Sequence, residues 1–338
     1  MTRRAEAPTF RGEGKIVFVD REYRDPGPGE LLLRVRANAI CGTDREQFYT
    51  GSDVVPGHEA AGTVLLSGPG TAIPAGTSGV VYLMDYCGVC RSCRLGHTNQ
   101  CLHKRADMGF SHDGGYGPYE TIHESNFFPV PDDVSPVEAT LLLDVIGTSA
   151  HAIARASALR SDVESIYIAG GGPIGIGLLV MAKLRYGSDV PVYLGDLSTW
   201  RLEYAQGLGA IPVEASDVAN VIATVHQVDI AFDTTGKESA RRIALSVLGK
   251  RGVLACVGHG ERLTLDVSGD LIAPERAVLG SEYFRFGDLP ENLAVLRSHR
   301  AQLGRIITHT YPIAEVNQAF ATFFSGQACK VVVTQESE

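Results

Sequence analysis

Four cysteines stand at Cys87-x2-Cys90-x2-Cys93-x7-Cys101, so one fifteen-residue segment carries four of the chain's seven thiols. Thiolates at that spacing can close a tetrahedral shell about 2.3 Å from a zinc ion, and four of them leave no coordination position open. The expected role is therefore structural. A zinc-ribbon module that binds nucleic acid is the rival reading, and Arg91, Arg94, Lys104 and Arg105 lie nearby. That rival predicts a basic domain, whereas 30 Lys and Arg face 39 Asp and Glu, a net charge of −9.

A second set is dispersed. Cys41-Gly42-Thr43-Asp44 is followed by Gly57-His58-Glu59, and much later by Asp144 in Leu141-Leu142-Leu143-Asp144-Val145. A thiol, an imidazole and a carboxylate are all zinc donors, and three protein ligands would leave a fourth position for water or substrate. By spacing alone, the same residues also read as a buried thiol, a core histidine and a carboxylate at a helix end.

The third motif is Gly170-Gly171-Gly172-Pro173-Ile174-Gly175, directly after the apolar run Ile166-Tyr167-Ile168-Ala169. Gly170 permits a tight turn, and Gly172 lets backbone amides approach a pyrophosphate. Pro173 suits a first helical turn that Ile174 continues, and Gly175 allows close packing of helix on strand. Asp196 ends the next strand, 21 positions after Gly175. A carboxylate there accepts hydrogen bonds from the ribose hydroxyls and repels a 2′-phosphate, which predicts NAD over NADP. Arg201 can pair with either a ribose or a phosphate.

The elements that position these residues fall into two textures. With 338 residues, two domains with ordinary cores are expected. The first 145 or so residues are rich in Gly and Pro, with β-type runs such as Leu31–Val35 and Gly79–Leu83 between turn signals. From about Ala150, strand candidates Ser165–Ala169, Val190–Leu194, Val228–Phe232 and Gly252–Val257 alternate with helical stretches Ile174–Arg185, Trp200–Leu208 and Ser239–Leu248. That alternation predicts βαβ units and a parallel sheet. The C-terminal part then offers an amphipathic stretch Leu289–His299, a strand Ile306–Tyr311, a helix Ile313–Phe324 and a strand Lys330–Thr334, with no internal repeat or long linker.

Composition narrows the function classes. Hydrophobic residues make up 44% and charged ones 20%, which suits a folded globular protein and not a disordered one. The acidic balance offers nothing to nucleic acid or an anionic membrane. The polar start Met1-Thr2-Arg3-Arg4 and the absence of any run near 18 apolar residues predict a soluble cytoplasmic protein. Seven cysteines are too sparse for a disulfide scaffold.

Together these pieces resemble the zinc-dependent medium-chain alcohol dehydrogenases, in the expected order and through nearly the whole chain. Further agreements are Gly27-Pro28-Gly29-Glu30, Asp233-Thr234-Thr235-Gly236, Val257-Gly258, Ile307-Thr308-His309 and Lys330-Val331-Val332-Val333. The resemblance implies a GroES-like, mostly-β catalytic domain over 1–145 and 286–338, and a doubly wound Rossmann domain for NAD over 146–285. It implies two zinc ions per chain. Cys41, His58 and Asp144 would hold the catalytic one, with Glu59 able to join or exchange with water, and Cys87, Cys90, Cys93 and Cys101 would hold the structural one. Thr43 would take the alcohol proton, Phe110 would lie near the substrate and Val257 near the nicotinamide.

Within the family, an acidic residue at Asp144 and the Gly172-Pro173-Ile174-Gly175 run resemble the polyol, sugar and threonine dehydrogenases, and imply a polyhydroxylated small-molecule substrate. Many members carry a histidine five residues after the first zinc cysteine, and this chain has Glu46 there. Glu46 is expected to pass the proton onward or to bind a substrate hydroxyl or ammonium. The family also implies a homodimer or homotetramer. A metal-free reductase of the same fold is the alternative, and it would not need Cys41, His58 and Asp144.

Overall fold

The computed structural model describes residues 2–225 and 227–335. The chain divides into two compact units, Met1–Asp144 with Arg285–Glu338, and Val145–Phe284.

The first unit opens with an antiparallel hairpin, β1 (Thr2–Gly12) and β2 (Lys15–Arg24). Next come β3 (Glu30–Ala39), helix α1 (Asp44–Thr50), β4 (Ala60–Ser67) and β5 (Ser78–Val81). The small cysteine lobe holds β6 (Met84–Asp85), α2 (Arg91–Arg94) and β7 (Ala106–Asp107), and β8 (Tyr119–His123), β9 (Phe127–Pro129) and α3 (Pro136–Ala139) follow. β3 organises this unit. β4 pairs along one of its edges, and the other edge is shared by β8 at residues 30–34 and by the chain's last strand at residues 37–39. Leu31, Leu32, Leu33, Val35, Ala37 and Ala39 are accordingly buried, because a strand paired on both edges and covered on both faces reads as a nearly continuous apolar run.

One β8 residue breaks that rule. Glu120 pairs with Leu33, two residues along from the inward pair Ile122 and Leu31 and on the same face. It is 1% exposed, and neither carboxylate oxygen has a hydrogen-bond partner. Burial, and then the charge of Asp113, push its carboxyl well above the usual range. A group that binds its proton more tightly folded than unfolded favours the fold at acid pH. That stability is lost as pH rises from the unfolded glutamate value of about 4.3 through the folded one. Glu120→Leu is expected to stabilise the protein by about 1–3 kcal/mol near pH 7 and by less at pH 5. Urea midpoints at the two pH values test this, and an equal gain at both would contradict it.

The second unit contains α4 (Ser149–Ser157), β10 (Ile166–Ala169), α5 (Pro173–Tyr186), β11 (Val192–Asp196), α6 (Thr199–Gln206), β12 (Ile211–Glu214), α7 (Val218–Thr224), β13 (Val228–Asp233), α8 (Glu238–Ser246), β14 (Leu248–Cys256) and β15 (Ala277–Gly280). Its six strands form one parallel sheet in the order β12-β11-β10-β13-β14-β15. This is the doubly wound order, which reverses between β10 and β13 and opens a crevice beyond their carboxyl ends. Central β10 and β13 are buried at every position.

The chain then returns to the first unit with α9 (Leu289–Ser298), α10 (Arg300–Gly304), β16 (Ile307–Pro312), α11 (Val316–Phe324) and β17 (Lys330–Thr334). α11 brings Phe320 and Phe323 into a core with Phe10, Phe48 and Tyr116.

Several elements differ from the sequence expectation. β11 starts at Val192, because Gly187 ends α5 at positive φ and residues 187–190 form a turn. β14 begins at Leu248 and passes an irregularity at Arg251, whose φ is +60°. β12, α7 and β15 carry no clear pattern in the sequence: β12 and β15 are edge strands with little buried surface. Ile313–Glu315 is a 3-10 turn ahead of α11. The helical stretch Pro136–Ser157 is also long and apolar enough to span a bilayer, at mean hydropathy 1.3, although no such run was expected. Its most apolar part is 78% buried, as in a core helix.

Candidate active site

Three separated segments of the first unit converge on one point. β3 leads through Ile40, whose N–H donates to Val331 O, into Cys41. His58 and Glu59 sit immediately before β4, after a turn that needs glycine: Gly57 has φ +101°, and a Cβ there would lie 2.8 Å from Tyr116 N. Asp144 lies in the first turn of a π-helical stretch, Leu143–Thr148, a widened turn often found at functional sites. One ligand atom from each of Cys41, His58, Glu59 and Asp144 lies within 4.8 Å of the others. The Cys41 thiol donates to Asp144 Oδ2 at 3.0 Å, and His58 Nε2 lies 3.7 Å from the same oxygen. All four residues are buried.

Burial alone would keep His58 neutral, but Asp144, Asp44 and Cys41 hold its pKa well above the usual value. Burial would likewise raise the Asp144 carboxyl, and His58, Lys330 and Cys41 hold it below the carboxylate range. Burial and Asp144 push the Cys41 thiol up.

Beside this cluster, Thr43 is exposed with Oγ1 3.5 Å from His58 Nε2. The Phe110 ring lies 5.0 Å from the His58 ring and is partly exposed. Glu46 is exposed on α1 and outside the four-donor group.

The cysteine lobe gathers Cys87, Cys90, Cys93 and Cys101 with their sulfurs within 4.8 Å of one another, Cys90 Sγ lying 3.4 Å from Cys93 Sγ and 3.9 Å from Cys101 Sγ. Backbone N–H groups of Cys93 and Leu102 donate to Cys90 Sγ and hold its thiol down to about 6, a state prepared for thiolate ligation.

In the second unit, β10 ends at Ala169 and Gly170 turns at φ +99°. A Cβ on Gly175 would meet Gly170 O at 1.8 Å, so only glycine lets α5 start this close to the strand. Gly172 caps α5 and Pro173 is its first residue, leaving the helix N-terminus free of side-chain caps, with Ile174 next. Asp196 Oδ2 accepts from Gly171 N at 2.6 Å, and Oδ1 accepts from Ser198 N at 2.8 Å, while Arg201 Nη1 lies 3.7 Å from Oδ2. Val257 follows β14, and its N–H donates to Asp233 O at 2.8 Å. Buried Arg241 ties the neighbouring loops together, donating to Asp233 Oδ2, Gly258 O and Glu261 O.

Two family models match the chain: the alcohol dehydrogenase GroES-like domain over residues 27–132, and zinc-binding dehydrogenase over residues 173–298. An L-threonine 3-dehydrogenase of Shewanella woodyi is 30% identical, over 96% of this chain and 97% of that enzyme. This chain belongs to the zinc-binding dehydrogenases. It is an NAD(P)-dependent dehydrogenase of CH–OH groups. Among solved structures, an alcohol dehydrogenase of E. coli CFT073 complexed with NADH aligns at TM-score 0.87 and 21% identity, over 98% of this chain and 99% of that one. L-idonate 5-dehydrogenase of E. coli K-12 aligns at TM-score 0.83 and 22% identity, over 99% of each chain. Both share the fold: a GroES-like unit with a Rossmann-type parallel sheet.

The dehydrogenase's donor sets suit zinc on chemical grounds. The first offers one sulfur, one imidazole and carboxylates in a buried pocket with an exposed hydroxyl beside it; the second offers four sulfurs and no other donor. In the first, His58 Nδ1 and Glu59 Oε2 are buried without hydrogen-bond partners.

Three residues of this dehydrogenase escaped sequence reasoning. Lys330, on β17, forms an ion pair with Glu59 Oε1, and both side chains are 0% exposed. A lysine opening the apolar run Lys330-Val331-Val332-Val333 was the available signal. Asp44, three residues after Cys41, has Oδ1 3.5 Å from His58 Nδ1. Tyr116 donates to Asp44 Oδ2.

Proposed function

We propose that this dehydrogenase oxidises a secondary alcohol of a small polyhydroxylated molecule, a polyol, sugar, cyclitol or aminocyclitol, to the ketone with NAD. The observation that carries the reading is the buried convergence of Cys41, His58 and Asp144, a three-ligand set with both a solvent-exposed hydroxyl and an aromatic ring at its edge. Bound there, zinc would acidify a coordinated hydroxyl and bound NAD would accept a hydride. Cys87, Cys90, Cys93 and Cys101 would hold a second, structural zinc.

The chain's own residues do the rest. Thr43 relays the substrate's hydroxyl proton, accepting it as its own hydroxyl proton moves toward the nicotinamide ribose, and Glu46 passes the proton on to solvent or binds a further substrate hydroxyl or ammonium. Glu59, held by Lys330, keeps a carboxylate in reserve beside the ligands. Gly170 turns the chain, Gly172, Ile174 and Gly175 present backbone N–H groups to a pyrophosphate, and Pro173, which has no N–H, sets the first helical turn. Asp196 takes the adenosine ribose hydroxyls with Arg201 beside it, and Val257 backs the nicotinamide. The same reading places two or four copies in one assembly, in the cytoplasm, which seven cysteines with no disulfide among the described residues suit.

Asp196→Ser is expected to narrow the preference for NAD over NADP by about tenfold or more, since one repelling carboxylate is worth about 1.4 kcal/mol or above. Unchanged kcat/KM ratios for the two cofactors would refute the assignment.

A second reading follows from the 30% identity to L-threonine 3-dehydrogenase: the alcohol would belong to a 3-hydroxy amino acid, with Glu46 facing its ammonium. NADH formation across polyols, aldoses, cyclitols, aminocyclitols, threonine and simple alcohols, with and without a zinc chelator, decides. Chelator-sensitive turnover of one hydroxyl-rich compound supports the first reading, and of threonine alone the second. Activity indifferent to chelation would favour the metal-free reductase.

A further inference from the structure

We propose that Tyr116 is a positioning residue for the Cys41–His58–Asp144 metal site: its hydroxyl sets the Asp44 carboxylate, which in turn sets the ring of His58. The inference rests on the zinc reading above.

The Tyr116 side chain is 0% exposed and locked on both sides, its ring stacked on Phe10 at 5.7 Å and packed on Phe320 at 5.6 Å. Its backbone is tied to the segment that delivers His58. Tyr116 N–H donates to Pro56 O at 3.1 Å and Gly115 N–H to Gly57 O at 2.8 Å, while Gln335 Nε2 donates to Tyr116 O at 2.9 Å. From this fixed ring the hydroxyl donates to Asp44 Oδ2 at 2.8 Å. Cys41 N–H donates to the same oxygen at 3.0 Å.

Asp44 is 0% exposed, so it cannot turn to water. With Oδ2 held by two donors, Oδ1 is left 3.5 Å from His58 Nδ1, and neither of these two atoms has a hydrogen-bond partner within normal distance. A small rotation of the imidazole closes that gap. Nδ1–H then donates to Asp44, and the Nε2 lone pair is turned toward Cys41 and Asp144, the tautomer a metal requires. Without the phenol, Oδ2 keeps only the Cys41 N–H, the carboxylate swings, and the imidazole loses the partner that fixes its tautomer. Burial and Asp44 push the phenol well above its usual pKa, so it remains a donor across the working range.

Tyr116→Phe keeps the ring packing and removes only the hydroxyl. The test uses the full-length, zinc-loaded protein, challenged with excess 4-(2-pyridylazo)resorcinol, which reports zinc as it is released. Wild type should release two equivalents in separate phases, and the phase missing from Cys41→Ser identifies the site in question. Tyr116→Phe should accelerate that phase about three- to tenfold, below the ten- to hundredfold typical of a direct partner of a metal-bound histidine. The four-cysteine phase should not move. Asp44→Asn should accelerate the same phase, and the double variant should add little to it.

Acceleration of both phases, or of neither, would overturn the proposal, and so would full additivity with Asp44→Asn. A wild-type protein without a Cys41-dependent equivalent would overturn the zinc reading itself, and this inference with it.

Discussion

Cys41→Ser is expected to lower kcat/KM at least about 10³-fold, equivalent to about 4 kcal/mol of transition-state stabilisation, while the protein stays folded and keeps its four-cysteine zinc. The argument is one of charge. A thiolate brings a full negative charge and a soft donor to zinc, whereas a serine hydroxyl stays protonated near neutral pH and binds weakly. The site cannot make up the loss from solvent, because Cys41, His58 and Asp144 are all buried. Metal analysis should fall from two equivalents to one, and NADH binding to the second unit should persist. The bland alternative is that Cys41 is an apolar space-filler under β3. Serine would then cost some stability and leave turnover alone, and near-wild-type kcat/KM at one zinc per chain would decide for it.

The second large effect concerns stability. Lys330→Met should destabilise the protein by about 3–5 kcal/mol. Lys330 and Glu59 are both 0% exposed. Burial would strip the Lys330 proton, but the charges of Glu59 and Asp144 hold its pKa above the usual lysine value, so the ammonium stays charged. Methionine fills much of the same volume and brings no charge, which leaves Glu59 and Asp144 buried without the lysine charge that faces them. Glu59→Gln in the Lys330→Met background should recover part of the loss, because one uncompensated charge is then removed. Chemical denaturation of the three variants measures this. A loss below about 1 kcal/mol for Lys330→Met would show that the pair is solvated and contributes as little as a surface ion pair.

What was legible in the sequence had a local cause. The cysteine lobe closes within fifteen residues, so its spacing alone sets the geometry. The turn at Gly170–Gly175 depends on backbone freedom at two glycines within one β-strand-to-helix connection, and that too is local. Edge elements such as β12 and β15 were silent because a strand with one pairing edge and little burial carries no strict apolar period.

The mostly-β and βαβ textures, the four-thiol site and the glycine turn were thus determined by the sequence itself, since each depends on contacts between near neighbours. The Cys41–His58–Glu59–Asp144 cluster was decided only by tertiary structure. Cys41 meets Asp144 across 103 residues and Glu59 meets Lys330 across 271, and both meetings depend on β3 being flanked by β4 and β17. The folded chain also left Glu46 outside that cluster, placed Asp44 and Tyr116 behind His58, and buried Lys330 with its charge intact. Long-range pairing of strands chooses which polar groups share a dehydrated space, and no spacing along the chain encodes that choice.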